Sequence, residues 1–315
     1  MSAFRNVLVG VDVSEDTLEF PEPTQEAIQQ ALRLGETNHA EITLMTVFEH
    51  APVETGDLVE ADGDVETPEH AAQRLHAAVA EEAEQRKIAV QSKIVHGRAW
   101  QELIREVLRG DYDVLIIGTR NRSSATRLLF GSTAMKLMRK CPCPVLVTKP
   151  GLFSGDISTI VAADDLGAVG ERVVEASVTL ARLFHARLMV VHAAMFPLEA
   201  GMLRNESPRD MIDSYREKVQ NDARTELSER VGNCDARTVS QGVRVEVFAG
   251  RPESVIERAV VEEQASLLVM GTIGRGGIPG FFIGNTAERL LAELQCSVLA
   301  IKPDDFACPV SLDDH

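Results

Sequence analysis

Short apolar runs rich in Val, Ile and Leu alternate along the chain with longer amphipathic stretches. Asn6–Val11, Ile42–Val47, Ala89–Val95, Val114–Gly118 and Val145–Thr148 read as strands, because they are short, apolar and rich in β-branched residues. Gln25–Leu34 repeats its apolar residues at helical spacing, as do Glu69–Lys87, Trp100–Leu108 and the short Ser132–Arg139. A second series follows the same course. Its strands are Thr159–Ala163, Leu188–Ala193, Val243–Phe248, Leu267–Gly271 and Val298–Ile301, and its helices Val169–Phe184, Ser207–Val231, Pro252–Val261 and Thr286–Glu293. Strands that alternate with helices predict βαβ crossovers. The fold class is therefore α/β, a doubly wound parallel sheet with helices on both faces. Apolar runs without alternation agree, since both faces of such a sheet are covered.

The two series are copies. His96-Gly97-Arg98 matches Ala249-Gly250-Arg251, and Val114–Thr119 matches Leu267–Thr272. Gly131-Ser132-Thr133-Ala134 matches Gly284-Asn285-Thr286-Ala287, and Cys143–Pro150 matches Cys296–Pro303. All four matches share an offset of 153 residues. A period of that size is a whole domain rather than a solenoid unit. Two domains are expected, residues 1–150 and 151–315, the second with a short acidic tail. The Pro- and Gly-bearing stretch Lys149–Asp156 joins them.

In doubly wound sheets, ligands lie beyond the carboxyl ends of the strands, where the strand order reverses. There the first copy has Gly118-Thr119-Arg120-Asn121, then nine residues, then Gly131-Ser132-Thr133 opening a helix. The second has Gly271-Thr272-Ile273-Gly274, nine residues, then Gly284-Asn285-Thr286. Glycine allows close backbone approach, Ser132 and Asn285 are natural N-caps, and a helix N-terminus favours an anion. Two such anchors on a long loop suit a polyphosphate. Asp12, at the end of the first strand, suits a ribose hydroxyl or a divalent cation, or simply makes a turn. Its counterpart is Asp164 by hydrophobic pattern or Asp165 by constant offset. No Gly-Lys-Ser/Thr P-loop is present, and no Gly-x-Gly-x-x-Gly follows the first strand.

These motifs, with the Cys-Pro-Val-Leu-Val last strand, resemble the universal stress proteins. The chain is similar to the tandem type, with two such domains fused, and most similar to the bacterial E-type. The resemblance implies an adenine nucleotide alpha hydrolase-like fold, five parallel strands per domain in the order 3-2-1-4-5. It also implies ATP, with Mg, as the cofactor. Carried over, the first site uses Asp12, the backbone of Val47, Gly118, Asn121, Gly131, Ser132 and Thr133. The second uses Asp164, Ala193, Gly271, Gly274, Gly284, Asn285 and Thr286. Asn121 stands where the family has its second glycine, and Asn285 where it has Ser or Thr. Arg120, Arg122 and Arg127 in the first loop, against Arg275 in the second, favour the first site for a triphosphate, whereas the glycines alone favour the second.

Composition excludes several classes. The net charge is −16, divided as −7 for residues 1–150 and −9 for 151–315, and aromatics are 4%. Neither half is a basic or base-stacking module for nucleic acid. No apolar run reaches the length of a membrane span, and no signal peptide is recognised, so a cytoplasmic protein is expected. Five scattered cysteines fit a reducing compartment and packing roles. There is no nucleophile elbow or paired-histidine metal motif, and Ser14 and Ser132 have no visible base, so no catalysis is expected. His192 is expected to be a satisfied core residue. Glu54–Glu69 carries seven acidic residues and no cation, and reads as a solvated loop. The last strands, Val145–Val147 and Val298–Ala300, are edge strands in this topology, expected to pair domain to domain and to support a homodimer.

The expected function is a stress-response regulator that binds an adenine nucleotide. The alternatives are a metabolite- or lipid-binding scaffold and a slow ATPase.

Overall fold

In a computed structural model, the structure describes residues 4–14, 16–49, 66–119, 130–150, 157–272, 290 and 294–312. The chain divides into two compact units, residues 2–150 with 307–315, and residues 151–306.

In the first unit the order along the chain is β1 (Asn6–Gly10), α1 (Glu22–Asn38), β2 (Glu41–Phe48), α2 (Pro68–Gln85), β3 (Val90–His96), α3 (Ala99–Arg109), β4 (Val114–Gly118), α4 (Ser132–Lys140) and β5 (Val145–Thr148). All strands run parallel in the order β3-β2-β1-β4-β5. The strand order predicted from the family resemblance is the one found. Val7, Leu8 and Val9 in β1 and Leu115 and Ile116 in β4 are fully buried. Each such side chain contributes about 1.5–3 kcal/mol by leaving water. On α1 the face of Ala27, Ile28, Ala31, Leu32 and Leu34 closes one side of the sheet. The helix extends beyond its expected bounds to Glu22 and Asn38, and ends where His39 turns left-handed at φ 54°. The Thr67 side chain accepts the N–H of His70 and fixes the start of α2, so the acidic stretch ends inside a helix.

The second unit repeats the plan with β6 (Thr159–Ala163), α5 (Ala168–Leu183), β7 (Arg187–Ala194), α6 (Glu199–Arg204), α7 (Arg209–Asn233), β8 (Val243–Ala249), α8 (Pro252–Glu262), β9 (Leu267–Gly271) and β10 (Ser297–Ile301). Its order is β8-β7-β6-β9-β10, again all parallel. The helix expected over Thr286–Glu293 and most of the linker lie outside the described residues. The short α6 buries none of its residues and was not expected.

Glycines at the third strand's end show how closely the copies agree. Gly97 and Gly250 adopt φ 142° and 143°, a region open to glycine alone. Their N–H groups donate to Phe48 O and Ala194 O, and each residue turns the chain into the next helix.

The copies differ in their connections. Eleven residues, Val11–Pro21, join β1 to α1, but only four, Asp164–Gly167, join β6 to α5. By sheet register Asn6 corresponds to Thr159 and Val90 to Val243, 153 residues apart, while Glu41 corresponds to Arg187, only 146 apart.

Candidate functional site

Parallel pairing fixes where the candidate residues emerge. Gly10 stands opposite Met45 on one side and Ile117 on the other. Asp12, Val47 and Gly118 therefore leave three adjacent strand ends side by side. The order reverses between β1 and β4, which makes this the switch point of the sheet. Asp12 is exposed on the long connection after β1, between buried Val11 and Val13. That connection ties itself down: Ser14 N–H donates to Glu19 O, Leu18 N–H to Ser14 O, and Thr17 N–H to Ser14 Oγ. Val47 pairs with Val95 in the sheet and is half-buried.

Gly118 has a packing role. A Cβ there would lie 2.5 Å from Pro23 O at the start of α1, and Thr148 Oγ1 donates to the same carbonyl at 3.2 Å. Thr119 is 6% exposed, its N–H donates to Thr148 O, and its Oγ1 has no hydrogen-bond partner among the described residues. Gly131, not Ser132, is the N-cap of α4: its backbone is extended (ψ 166°) and its carbonyl accepts Met135 N–H. Ser132 is the first helical residue, with an exposed side chain, and Thr133 is half-buried. The preceding Phe130 ring lies 5.6 Å from Lys149 Nζ just past β5, which sets the start of α4 at the carboxyl end of the sheet.

In the second unit Ala163 stands opposite Val191 and Met270, the register of Gly10. Asp165 is thus the counterpart of Asp12, and buried Asp164 occupies the place of Val11. The constant offset was the better guide, because no residue is inserted or lost between β6 and this point. Asp164 is enclosed by protein groups. Leu166 N–H donates to its Oδ1 at 2.6 Å, and Arg230 Nη1 lies 3.2 Å from both carboxylate oxygens. Arg230 also donates to Gly167 O at 2.8 Å and to Glu226. A Cβ on Gly170 would lie 1.8 Å from Asp164 Oδ1, so glycine there makes room for the pair. Burial pushes the Asp164 carboxyl up, against the opposing pull of the Leu166 N–H and the Arg230 charge. Asp165 is exposed, and its Oδ1 accepts Gly167 N–H at 2.8 Å. Ala193 pairs with Phe248, and Gly271 with Ile301. Thr272 is buried, and its Oγ1 accepts Lys302 Nζ at 2.8 Å.

Asn121, Gly274, Gly284, Asn285 and Thr286 lie outside the described residues, as do Arg120, Arg122, Arg127 and Arg275. His192 Nδ1 is 2.8 Å from Asp164 O. His76, which the sequence did not single out, is buried between Thr46 Oγ1 at 2.9 Å and Ser92 Oγ at 2.6 Å, and burial lowers its pKa to about 4. All five cysteines are free thiols. No group of three or more His, Cys, Asp or Glu side chains among the described residues is placed to hold a metal ion. No helix among them is long and apolar enough to cross a membrane.

A polar cavity of about 230 Å³ lies at the opposite, amino ends of β1 and β2. Lys93 Nζ and Tyr112 Oη both donate to buried Glu106 there, and Tyr112 Oη also lies 3.2 Å from Thr43 Oγ1. The corresponding positions in the second unit, Ala259 and Ala265, are buried alanines.

A parallel five-stranded α/β unit whose strand order reverses at a switch point, present twice, defines the class. Residues 3–149 and 157–302 each match the universal stress protein family. The chain belongs to that family. It is 26% identical to "Universal stress protein E" of Escherichia coli K12 over 100% of this chain and 99% of that one. Two solved structures share the fold. One is a functionally unknown protein from Pseudomonas aeruginosa PAO1, with TM-score 0.69 and 23% identity, covering 96% of this chain and 94% of that one. The other is a universal stress protein from Archaeoglobus fulgidus DSM 4304, with TM-score 0.62 and 17% identity, covering 95% of this chain and 99% of that one.

Proposed function

We propose that the chain is a stress-response regulator that binds an adenine nucleotide, ATP with Mg, at the carboxyl ends of its strands, and that acts through the bound state rather than through turnover. The observation that carries this reading is the convergence of Asp12, Val47 and Gly118 on three adjacent strand ends at the β1–β4 switch point. The N-terminus of α4, capped by Gly131, opens at the same edge. Unpaired N–H groups of that first turn suit phosphate oxygens, and Asp12 suits a ribose hydroxyl or the cation. ATP is an anion, but backbone N–H groups hold it, so the net charge of −16 does not oppose binding. By the sequence repeat the domains are 1–150 and 151–315, with the tail 307–315 grouping with the first unit. The protein works in the cytoplasm as a homodimer. The test is direct: denatured, filtered protein releases an adenine nucleotide, and titration with Mg-ATP gives heat. Absence of both refutes the reading. Slow hydrolysis is a lesser alternative; turnover unchanged in Asp12→Ala and Gly131→Val would assign it to a contaminant.

A second reading has its own observation. Met195, Leu198, Leu203 and Met211, all just past β7, are each more than half exposed. Exposed flexible apolar side chains that follow a strand end in the chain favour a metabolite or lipid ligand without a nucleotide. Native mass spectrometry of the gently purified chain separates the two by the mass of the retained ligand.

A further inference from the structure

We infer that the first unit alone holds the nucleotide and that the second is a copy closed on its own side chains. The inference rests on the nucleotide-binding reading and narrows it to one site per chain.

Three contrasts between matched positions support it. The strand-end carboxylate of the second unit, Asp165, accepts the N–H of Gly167 and so shapes the turn into α5. A connection of four residues forces that turn, and the matching connection of the first unit has eleven. Second, the position filled by Val11 in the first unit carries Asp164, and Arg230 of α7 reaches across to it and to Gly167 O. This guanidinium bolts the end of α7 to the chain just past the carboxyl end of β6. A ligand entering there meets a pair whose separation leaves a buried charge uncompensated. Third, the Thr after the fourth strand is used differently in the two copies. Thr272 Oγ1 accepts Lys302 Nζ, whereas the buried Thr119 Oγ1 has no partner among the described residues. A buried hydroxyl without a partner is uncommon in a folded protein and is satisfied by a group that arrives later. Among the described residues, Asp164, Asp165 and Thr272 at the second strand end are each answered from within. At the first, one is left for the nucleotide.

Equilibrium dialysis of the full chain against labelled ATP should give one nucleotide per chain. Photolabelling with 8-azido-ATP followed by peptide mapping should place the label in residues 1–150. Two nucleotides per chain, or label in residues 151–315, would overturn the inference while leaving nucleotide binding intact. No binding at millimolar ATP would instead sink the nucleotide reading on which it rests. Paired substitutions give opposite signs. Thr119→Val should weaken ATP binding about tenfold and raise the melting temperature, because it removes an unanswered hydroxyl. Thr272→Val should lower the melting temperature and leave ATP affinity unchanged. Equal effects of the two on affinity would overturn the asymmetry.

Discussion

His76 makes the first unit sensitive to acid by an amount that follows from its surroundings. The ring is 1% exposed, lies between Thr46 and Ser92, and faces Phe20 at 6.3 Å between centroids. Burial favours the neutral imidazole and lowers the pKa from 6.5 to about 4. Above pH 6.5 both folded and unfolded forms are neutral, and the shift has no effect on stability. As the pH falls below 6.5 the unfolded chain takes up a proton that the folded ring refuses, so stability declines until the folded pKa is passed. The loss is about 2 kcal/mol at pH 5 and approaches about 3 kcal/mol below pH 4. His76→Phe removes this titration while keeping the ring volume. It also strands Thr46 Oγ1, so the variant starts less stable at pH 7.5. Urea unfolding followed by fluorescence reads the correct unit, because the sole tryptophan, Trp100, lies in α3. Other carboxylates titrate equally in both proteins, so the quantity to compare is the fall in stability from pH 7.5 to 5. Wild type should lose about 2 kcal/mol more than the variant. Equal losses would refute the assignment of a neutral, proton-refusing His76.

Three further outcomes are expected. Gly118→Ala forces α1 away from β4, because its Cβ meets Pro23 O at 2.5 Å, and should cost about 1–3 kcal/mol in chemical unfolding. Arg230→Met strands the buried Asp164 carboxylate and should destabilise the second unit by about 3–5 kcal/mol at pH 7. Part of that loss should return on acidification, since the raised Asp164 pKa means the folded state binds its proton more tightly than the unfolded state does. An unfolding midpoint that does not recover at lower pH would contradict this. Gly97→Ala places a side chain at φ 142° and its Cβ 2.9 Å from Glu102 Cγ, and differential scanning calorimetry should show a loss of about 1–3 kcal/mol.

The strands were the most legible part of the sequence. Val114–Gly118, Val145–Thr148, Thr159–Ala163 and Leu267–Gly271 are found with the expected bounds, because burial on both faces makes the whole run apolar. Helix ends were less legible. α1 continues through Gly35-Glu36-Thr37-Asn38, mostly polar residues that carry no apolar period. α6 left no signal because it buries nothing. At the candidate site, two aspartates stood side by side after β6, and only hydrogen-bond register could say which one matches Asp12. Arg230 was beyond reach. It lies 66 residues from Asp164 in the chain, on a helix whose polar face gives no hint of a buried partner. The roles of Thr119 and Thr272 were equally hidden, since identical residues in matched motifs differ only in whether a lysine ammonium meets them.

The unequal connections carry a consequence for how such a duplication diverges. The second copy is seven residues shorter before β7 and seven longer between β7 and β8, so the spacing of 153 is restored by the third strand. Read as a ruler, the constant offset suggests two copies that have drifted only by substitution. In space, seven residues are missing from the connection after β6, and α7 is seven residues longer than α2, while the strands kept their register. The sheet tolerates this because its ladders end before either change begins. One connection at the carboxyl ends of the strands can therefore be cut back at constant total length, and a comparison that looks only for gaps in the total will pass over it.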